Sequence, residues 1–309
     1  MEGLILFYKP VGWKNKDILA FFKRVFGSQK IGHSGTLDPF AEGLLVMGLG
    51  RKFTKQLHSL LLHSQKEYIA GIELGKTSDT FDTDGIISEA NPAIKPDLKE
   101  IKSTIESKFS GVREQTPPVY SAKKFKGKRL RDLRDSEQIE EIIKTKTKNV
   151  SLNDFKIISY KYPFLKIKLS VSSGFYIRSF ANDLGKELKT GAYLKSLERT
   201  AVGGFSADYA LKPDDFAKNI ELWGKLSGQV QGVGFRYFLK TASSKLNLIG
   251  YAGNNPDGTV EFVVRGNVKN IAQFQNFAKQ GPAAAKISDY QFIARKQKND
   301  DDIENFTPV

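Results

Sequence analysis

From about residue 222 the chain commits to a single order of elements. KLSGQVQGVGFRYFLKTASSKLNLIGYAGNNPDGTVEFVVRG, residues 225–266, reads as strand, Gly-rich loop, helix, strand, tight turn and strand. The NPDG turn at 255–258 is a strong hairpin signal, because Pro presets φ and Gly accepts a positive one. In NVKNIAQFQNFAKQG, 267–281, Ile271, Phe274 and Phe277 recur at helical spacing. SDYQFIARK supplies a last strand. A β-α-β-β-α-β order leaves few topologies, and it fits a ferredoxin-like split βαβ unit.

The first 220 residues are less regular. LILFY at 4–8 reads as a short buried strand, followed by a turn at KPVGW. Asn15 is placed to cap a helix over 16–26, which buries Ile18, Phe21, Phe22 and Val25 and stops at Gly27. GLLVMGLG is strand-like or the start of a buried helix. KEYIAGIELG, 66–75, alternates as a strand does, and TSDTFDTDG, 77–85, is an acidic turn. ANPAIKPDLKEIKSTIESKFSG, 90–111, takes a helical period after its prolines. QTPPVYSAKKFKGKRL, 115–130, is extended and basic, with aromatics. KIKLSVSSGFYIRSF, 166–180, is a strand leading through SSG into a helix over roughly 178–189. LKPDDFAKNIE looks like a capped helix and connector.

Composition narrows the chemistry. The chain has 309 residues, no cysteine and three histidines, His33, His58 and His63, at no zinc-like spacing. Disulfides and thiolate metal sites are therefore excluded, and no metal is expected. Asp79, Asp82 and Asp84 resemble a calcium-loop run without the rest of such a loop, so they read as structural or turn acids. The apolar run at the N-terminus is far too short for a signal peptide or a membrane span, so a cytoplasmic protein is expected. The net charge of +14 favours a polyanionic partner. Residues 221–309 hold only 11 Lys/Arg against 8 Asp/Glu, so most of that excess lies before them.

Four separated stretches then point one way. They are YKPVGW (8–13), GHSGTLDPFAEGLL (32–45), KEYIAGIELGKTSDTFDTDG (66–85) and SSGFYIRSFANDLGKEL (172–188). In this order they closely resemble the TruB-type tRNA pseudouridine synthases, over about residues 1–210. The resemblance implies a mixed-sheet catalytic domain that makes the pseudouridine of the tRNA T arm, at uridine-55, without a cofactor. It implies Asp38 as the catalytic aspartate, with Arg178 paired to it and Tyr68 stacked on the target base. Pro39 biases Asp38 toward an extended conformation. A close guanidinium favours the carboxylate form and fixes its direction. By the same resemblance His33 positions RNA, Lys9 and Pro10 support the base pocket, and Leu197 lies against the base. The QTPPVYSAKKFKGK segment resembles the stretch leading into the family's RNA-gripping insertion, with Lys123, Lys124, Lys126, Lys128 and Arg129 suited to phosphates. Arg131 stands where that family often has an aromatic.

Residues 223–296 resemble acylphosphatases. The carrying motifs are GQVQGVGFRYF (228–238) and GYAGNNPDGTVE (250–261). The resemblance implies a phosphate cradle at Gln231, Gly232, Val233, Gly234, Phe235 and Arg236, with Asn254 holding the attacking water. A Gly-rich loop feeding a helix offers free N–H groups and the positive end of a helix dipole. Ala252 and Gly253 depart from the family's usual Val-Arg or Val-Lys.

The expected fold class is α+β. A synthase domain over 1–212 is followed by a connector at 213–221, a ferredoxin-like βαββαβ domain over 222–296 and a polar tail at 297–309. The expected partners are tRNA through its T arm and a small acyl phosphate, in a monomer with no membrane association. Two alternatives stand beside this: a C-terminal domain that only docks RNA, and a whole chain that is a non-catalytic tRNA-binding chaperone.

Overall fold

The computed structural model describes residues 1–27, 29–61, 64–91, 93–119, 124–125, 128–129, 139–297 and 307–308. Two compact units emerge. One gathers Met1–Gly35, Gly43–Leu61 and Phe205–Val309, and the other Thr36–Glu42 and Leu62–Gly204. None of the described helices is long and apolar enough to cross a membrane.

In the first unit the ferredoxin-like order is realised. Strands Asn219–Gln229, Ile249–Asn254, Val260–Asn267 and Lys286–Arg295 form an antiparallel sheet, with helices Phe235–Lys245 and Val268–Gln280 between them in sequence. The first strand of the unit lies between the third and the last, as a split βαβ unit requires. The NPDG turn closes with Gly258 at φ +82° and Asn255 N–H donating to the Thr259 carbonyl.

This sheet does not end at its own edge. Strand Gly3–Lys9 adds to it in parallel, with Leu4 opposite Ile293 and Ile5 opposite Ala294. Strand Glu42–Leu49 pairs antiparallel on its other side. GLLVMGLG is therefore a strand. The helix at Arg51–Leu61 that follows carried no sequence signal we read, because only Gly50 separates it from the strand.

Helix Asn15–Phe26 starts one residue earlier than expected. Its cap is Lys14, whose N–H donates to the Asp17 carboxylate at 2.8 Å. The helix packs Phe21, Phe22 and Phe26 against Phe7 and Phe216. Phe216 comes from a short 3-10 turn at Pro213–Ala217, where a longer capped helix was expected. The strand that follows begins at Asn219.

In the second unit five antiparallel strands run in the order Ala192–Val202, Lys66–Leu74, Phe164–Val171, Lys148–Lys161 and Gly111–Gln115. Tyr68, Ala70, Ile72 and Leu74 alternate onto one buried face. Helices Leu98–Lys108 and Ile177–Glu187 contribute Ile101, Ile105, Phe180 and Leu184 to that core. A bulge between Leu194 and Ser196 shifts the alternation, which lets both Leu194 and Leu197 face the core.

Helix Ile177–Glu187 sits very close to the strand that follows it. A Cβ on Gly185 would lie 2.2 Å from the Ala192 nitrogen and 2.6 Å from its Cβ. Replacing Gly by Ala in a helix gains about 1 kcal/mol of propensity, but overpacking against backbone costs roughly 1–3 kcal/mol. Gly185→Ala should therefore be less stable than the parent in urea unfolding, and more so for Val.

Candidate functional site

Asp38 sits on a short turn closed by the Ala41 N–H donating to the Asp38 carbonyl at 3.1 Å. Its neighbours Leu37 and Ala41 are buried in the core of the second unit, whereas its own side chain is 37% exposed. The turn is thus anchored on both flanks and presents the acid between them.

Arg178 meets it there. The residue is in the first turn of helix Ile177–Glu187, and its side chain is only 5% exposed. Its Nε lies 3.0 Å from Asp38 Oδ2. Its NH1 donates to Asp82 Oδ2 at 2.9 Å and to the Thr80 carbonyl at 3.3 Å. A cation at a helix N-terminus is opposed by the helix dipole at about 0.3–1 kcal/mol. Charge-assisted hydrogen bonds contribute roughly 1.5–3 kcal/mol each, so the two carboxylates decide the balance. The start of the helix is fixed by Gln115, which donates to the Tyr176 carbonyl at 2.9 Å and accepts from the Tyr176 N–H at 2.7 Å.

Asp82 was read from the sequence as a turn acid, and it has that role and more. Its side chain is 3% exposed. Its Oδ1 accepts from Thr80 Oγ1 at 2.6 Å and from the Asp84 N–H at 3.0 Å. Phe81, between Thr80 and Asp82, takes a left-handed φ of +64°, which is costly for a bulky side chain and folds both polar groups inward. Gly85 leaves room for this cluster, since a Cβ there would lie 2.1 Å from Asp79 Oδ1 and 2.4 Å from Thr80 Oγ1.

Tyr68 and Leu197 belong to the same buried cluster as Leu37. Tyr68 is 7% exposed and lies between Leu169 and Arg199 in the sheet register. In the first unit, Lys9 is fully buried with its ammonium 3.0 Å from the Pro10 carbonyl, and Pro10 is half-buried. His33 is half-buried on strand Ile31–Ser34, opposite Met47. Lys124, Lys128 and Arg129 lie on a two-stranded ladder, Lys124–Phe125 with Lys128–Arg129. Lys123 and Lys126 lie outside the described residues. Among the described residues no three acidic, histidine or cysteine side chains gather as a metal would need.

The Gly-rich loop of the first unit borders a cavity of about 360 Å³ lined by Val230, Gln231, Gly232, Gly234, Phe235, Arg236, Tyr237 and Asn254. Val233 is in the loop but not in that lining. Gly234 caps helix Phe235–Lys245 at φ +74°, and Gly232 has φ +73°. A Cβ at either would meet nothing, so the requirement is for backbone hand and not for space. Gln231 spends its amide on the Asn255 and Thr259 carbonyls, at 2.8 and 2.9 Å. It pins the loop to the NPDG turn. Asp257 pins that turn in its own way, by accepting from Lys225 at 2.8 Å and from Thr259.

The TruB family pseudouridylate synthase model, N-terminal domain, matches residues 23–177. A tRNA pseudouridine synthase B of Chlamydia trachomatis serovar L2 is 42% identical over 212 residues, covering 68% of this chain and 85% of that protein. The chain belongs to the TruB family. A Ureaplasma urealyticum tRNA pseudouridine synthase B is 38% identical, covering 71% of this chain and 95% of its own. The solved Cbf5–Nop10–Gar1 complex has a chain with TM-score 0.53 at 17% identity, covering 93% of this chain and 84% of that one. That likeness is one of fold. The acylphosphatase family model matches residues 224–308. This TruB-family chain therefore carries a second, acylphosphatase-like domain.

Two measurements check this geometry. Removing one partner of a buried pair is strongly destabilising, so Asp82→Ala should lose roughly 3 kcal/mol in urea unfolding. Hydrogen bonds from Lys225, then from Thr259, hold the Asp257 carboxyl down at about 2, from an ordinary 3.8. Because the folded value is lowered, its contribution is complete above the ordinary value and is lost as pH falls through about 2. Carbon-detected NMR should find that midpoint, and Lys225→Met should move it upward.

Proposed function

We propose that the chain isomerises uridine to pseudouridine in the tRNA T arm, at uridine-55, with Asp38 as the catalytic carboxylate. The observation that carries this reading is the contact between the partly exposed Asp38 and the buried Arg178, with Asp82 behind it. The reaction breaks the N1–C1′ bond, turns the base and joins C5 to C1′; the C5 proton leaves and N1 takes one up. The carboxylate attacks C6 or C1′, or removes the 2′ proton, and all three routes need its anionic form. Arg178 holds that anion in one direction. Asp82 is a positioning residue, since it touches the guanidinium and not the substrate.

The target uridine must leave its stack, which costs on the order of a few kcal/mol. Tyr68 stacking on the base returns about 1–3 kcal/mol of this. Leu197 closes the apolar side of the same pocket. Names of relatives such as the Chlamydia trachomatis enzyme support tRNA as the partner. The net charge of +14 agrees with an RNA substrate, and His33, Lys124, Lys128 and Arg129 are assigned to its grip.

A second activity, acyl-phosphate hydrolysis, is favoured by the glycine-shaped cavity beside Arg236 and Asn254. The loop N–H groups and the Arg236 fork receive the phosphate oxygens. Asn254 directs a water at the acyl-phosphate bond, which is already reactive.

Asp38→Asn should abolish tritium release from C5-labelled uridine in a T-arm hairpin while hairpin binding stays within a few-fold of the parent. Full activity in that variant would overturn the assignment. Arg236→Ala should remove hydrolysis of a small acyl phosphate and leave pseudouridine formation intact. Loss of both together would contradict separate sites.

A further inference from the structure

Tyr237 lies in the first turn of helix Phe235–Lys245, next to Arg236. It is 74% exposed. Its backbone carbonyl accepts from Thr241 Oγ1 at 3.1 Å, and among the described residues no hydrogen bond or ring contact involves its side chain. Phe235, two residues before it, is 2% exposed and meets Phe238 edge-on at 6.2 Å. A single exposed aromatic on an open surface needs no explanation. This one borders a cavity.

The cavity is larger than the group its Gly-rich loop is shaped for. Even at about 30 Å³ for each heavy atom, the share a water takes in the liquid, the five atoms of a phosphate fill roughly 150 Å³. More than half of the 360 Å³ is left for the rest of a substrate. The side chains around that space limit what it takes. Arg236 is the one charged residue among the eight that line the cavity, and a phosphate engages it. An acyl group with a carboxylate or an ammonium of its own finds no counter-charge there. The Gln231 amide is committed to the Asn255 and Thr259 carbonyls. The remaining wall is apolar, from Val230 and Phe235, both buried, and the ring of Tyr237.

We propose that Tyr237 sets the substrate class of this cavity as neutral, aromatic acyl phosphates, whose ring lies against the tyrosine while the loop and Arg236 hold the phosphate. This rests on the acyl-phosphate reading above. Stacking covers a tyrosine ring that the fold leaves in water, and an aromatic pair contributes beyond the area it buries. A methyl group, as in acetyl phosphate, offers that ring little. The hydrolysis itself is the same for both. The water oxygen bonds to phosphorus, the bridging P–O bond breaks, the acyl group leaves as its carboxylate and the water releases a proton to solvent.

The test compares benzoyl phosphate with acetyl phosphate on the full chain, following loss of the acyl phosphate. Benzoate and acetate are leaving groups of similar basicity, so a difference between them reports on binding. The parent's kcat/KM should favour benzoyl phosphate by about tenfold, and Tyr237→Ala should cut that preference about fivefold. The loss should appear in KM more than in kcat, because the ring contact is alike in bound substrate and transition state. Tyr237→Phe should keep the preference, since the ring and not the hydroxyl makes it. The exposed position predicts that both variants unfold at the parent's temperature. A parent without preference, or a Tyr237→Ala variant that slows both substrates equally, overturns the proposal and leaves the acyl-phosphate reading standing. A parent that hydrolyses neither substrate overturns that reading, and this assignment falls with it.

Discussion

A guanidinium keeps its proton in any protein environment, so burying one obliges the surrounding chain to supply negative charge. Arg178 sets that obligation in the second unit, and two acids meet it on different terms. Asp82 is buried, and Thr80, Asp84 and Arg178 occupy its oxygens. It is the buried counterpart of the guanidinium. Asp38 takes the Nε edge and stays partly in solvent. Of the two acids on the guanidinium, Asp38 is the one that solvent reaches. The rest follows from holding it still. Leu37 and Ala41 fix the turn, Gln115 fixes the helix start, and the left-handed Phe81 turns Asp82 inward.

The Gly-rich loop of the acylphosphatase-like domain solves the converse problem. There the backbone itself shapes the border of a cavity. Gly232 and Gly234 set the hand of the backbone, and helix Phe235–Lys245 begins where the loop ends. Gln231 was expected to touch phosphate through its place in the motif, yet its side-chain amide serves the two carbonyls of the neighbouring turn. This motif position therefore acts here through rigidity, by tying the loop to the turn. Tyr237, on the lip of the same cavity, is 74% exposed and went unread in the sequence.

What was legible in the sequence was local. Alternation, helical period and the NPDG turn carried the βαββαβ order, because each is decided within a dozen residues. The pairing of Arg178 with Asp38 was legible only through resemblance. Its pairing with Asp82, 96 residues away, left no mark on the local pattern. The bulge that turns Leu197 inward was equally silent, since plain alternation would put Leu194 and Leu197 on opposite faces. Strand Gly3–Lys9 was expected as buried, but its parallel partner lies near residue 293, beyond any local rule.

That last pairing has an energetic reading. The entropy of closing a loop grows only with the logarithm of its length, at about 0.6 kcal/mol per doubling. Joining Leu4 to Ile293, rather than to a partner ten residues off, adds about five doublings, or roughly 3 kcal/mol. Glu2 stands at the head of this strand. It exchanges backbone hydrogen bonds with the Gln275 amide, and its carboxylate accepts from Lys279 at 2.8 Å and Tyr290 at 2.9 Å. Burial raises the Glu2 carboxyl, but those donors outweigh it and hold the group below its ordinary value. Burial and the bond to Glu2 push the Tyr290 hydroxyl up to about 12. Hydrogen bonds of this charged kind contribute roughly 1.5–3 kcal/mol each where they are sheltered, less where solvent screens them. Even after that discount, the two charged bonds, the two neutral amide bonds and the apolar strand behind them are enough to offset the closure. The acylphosphatase-like segment is therefore bound into the same sheet as the first strand of the chain, and that strand depends on it for one of its two neighbours.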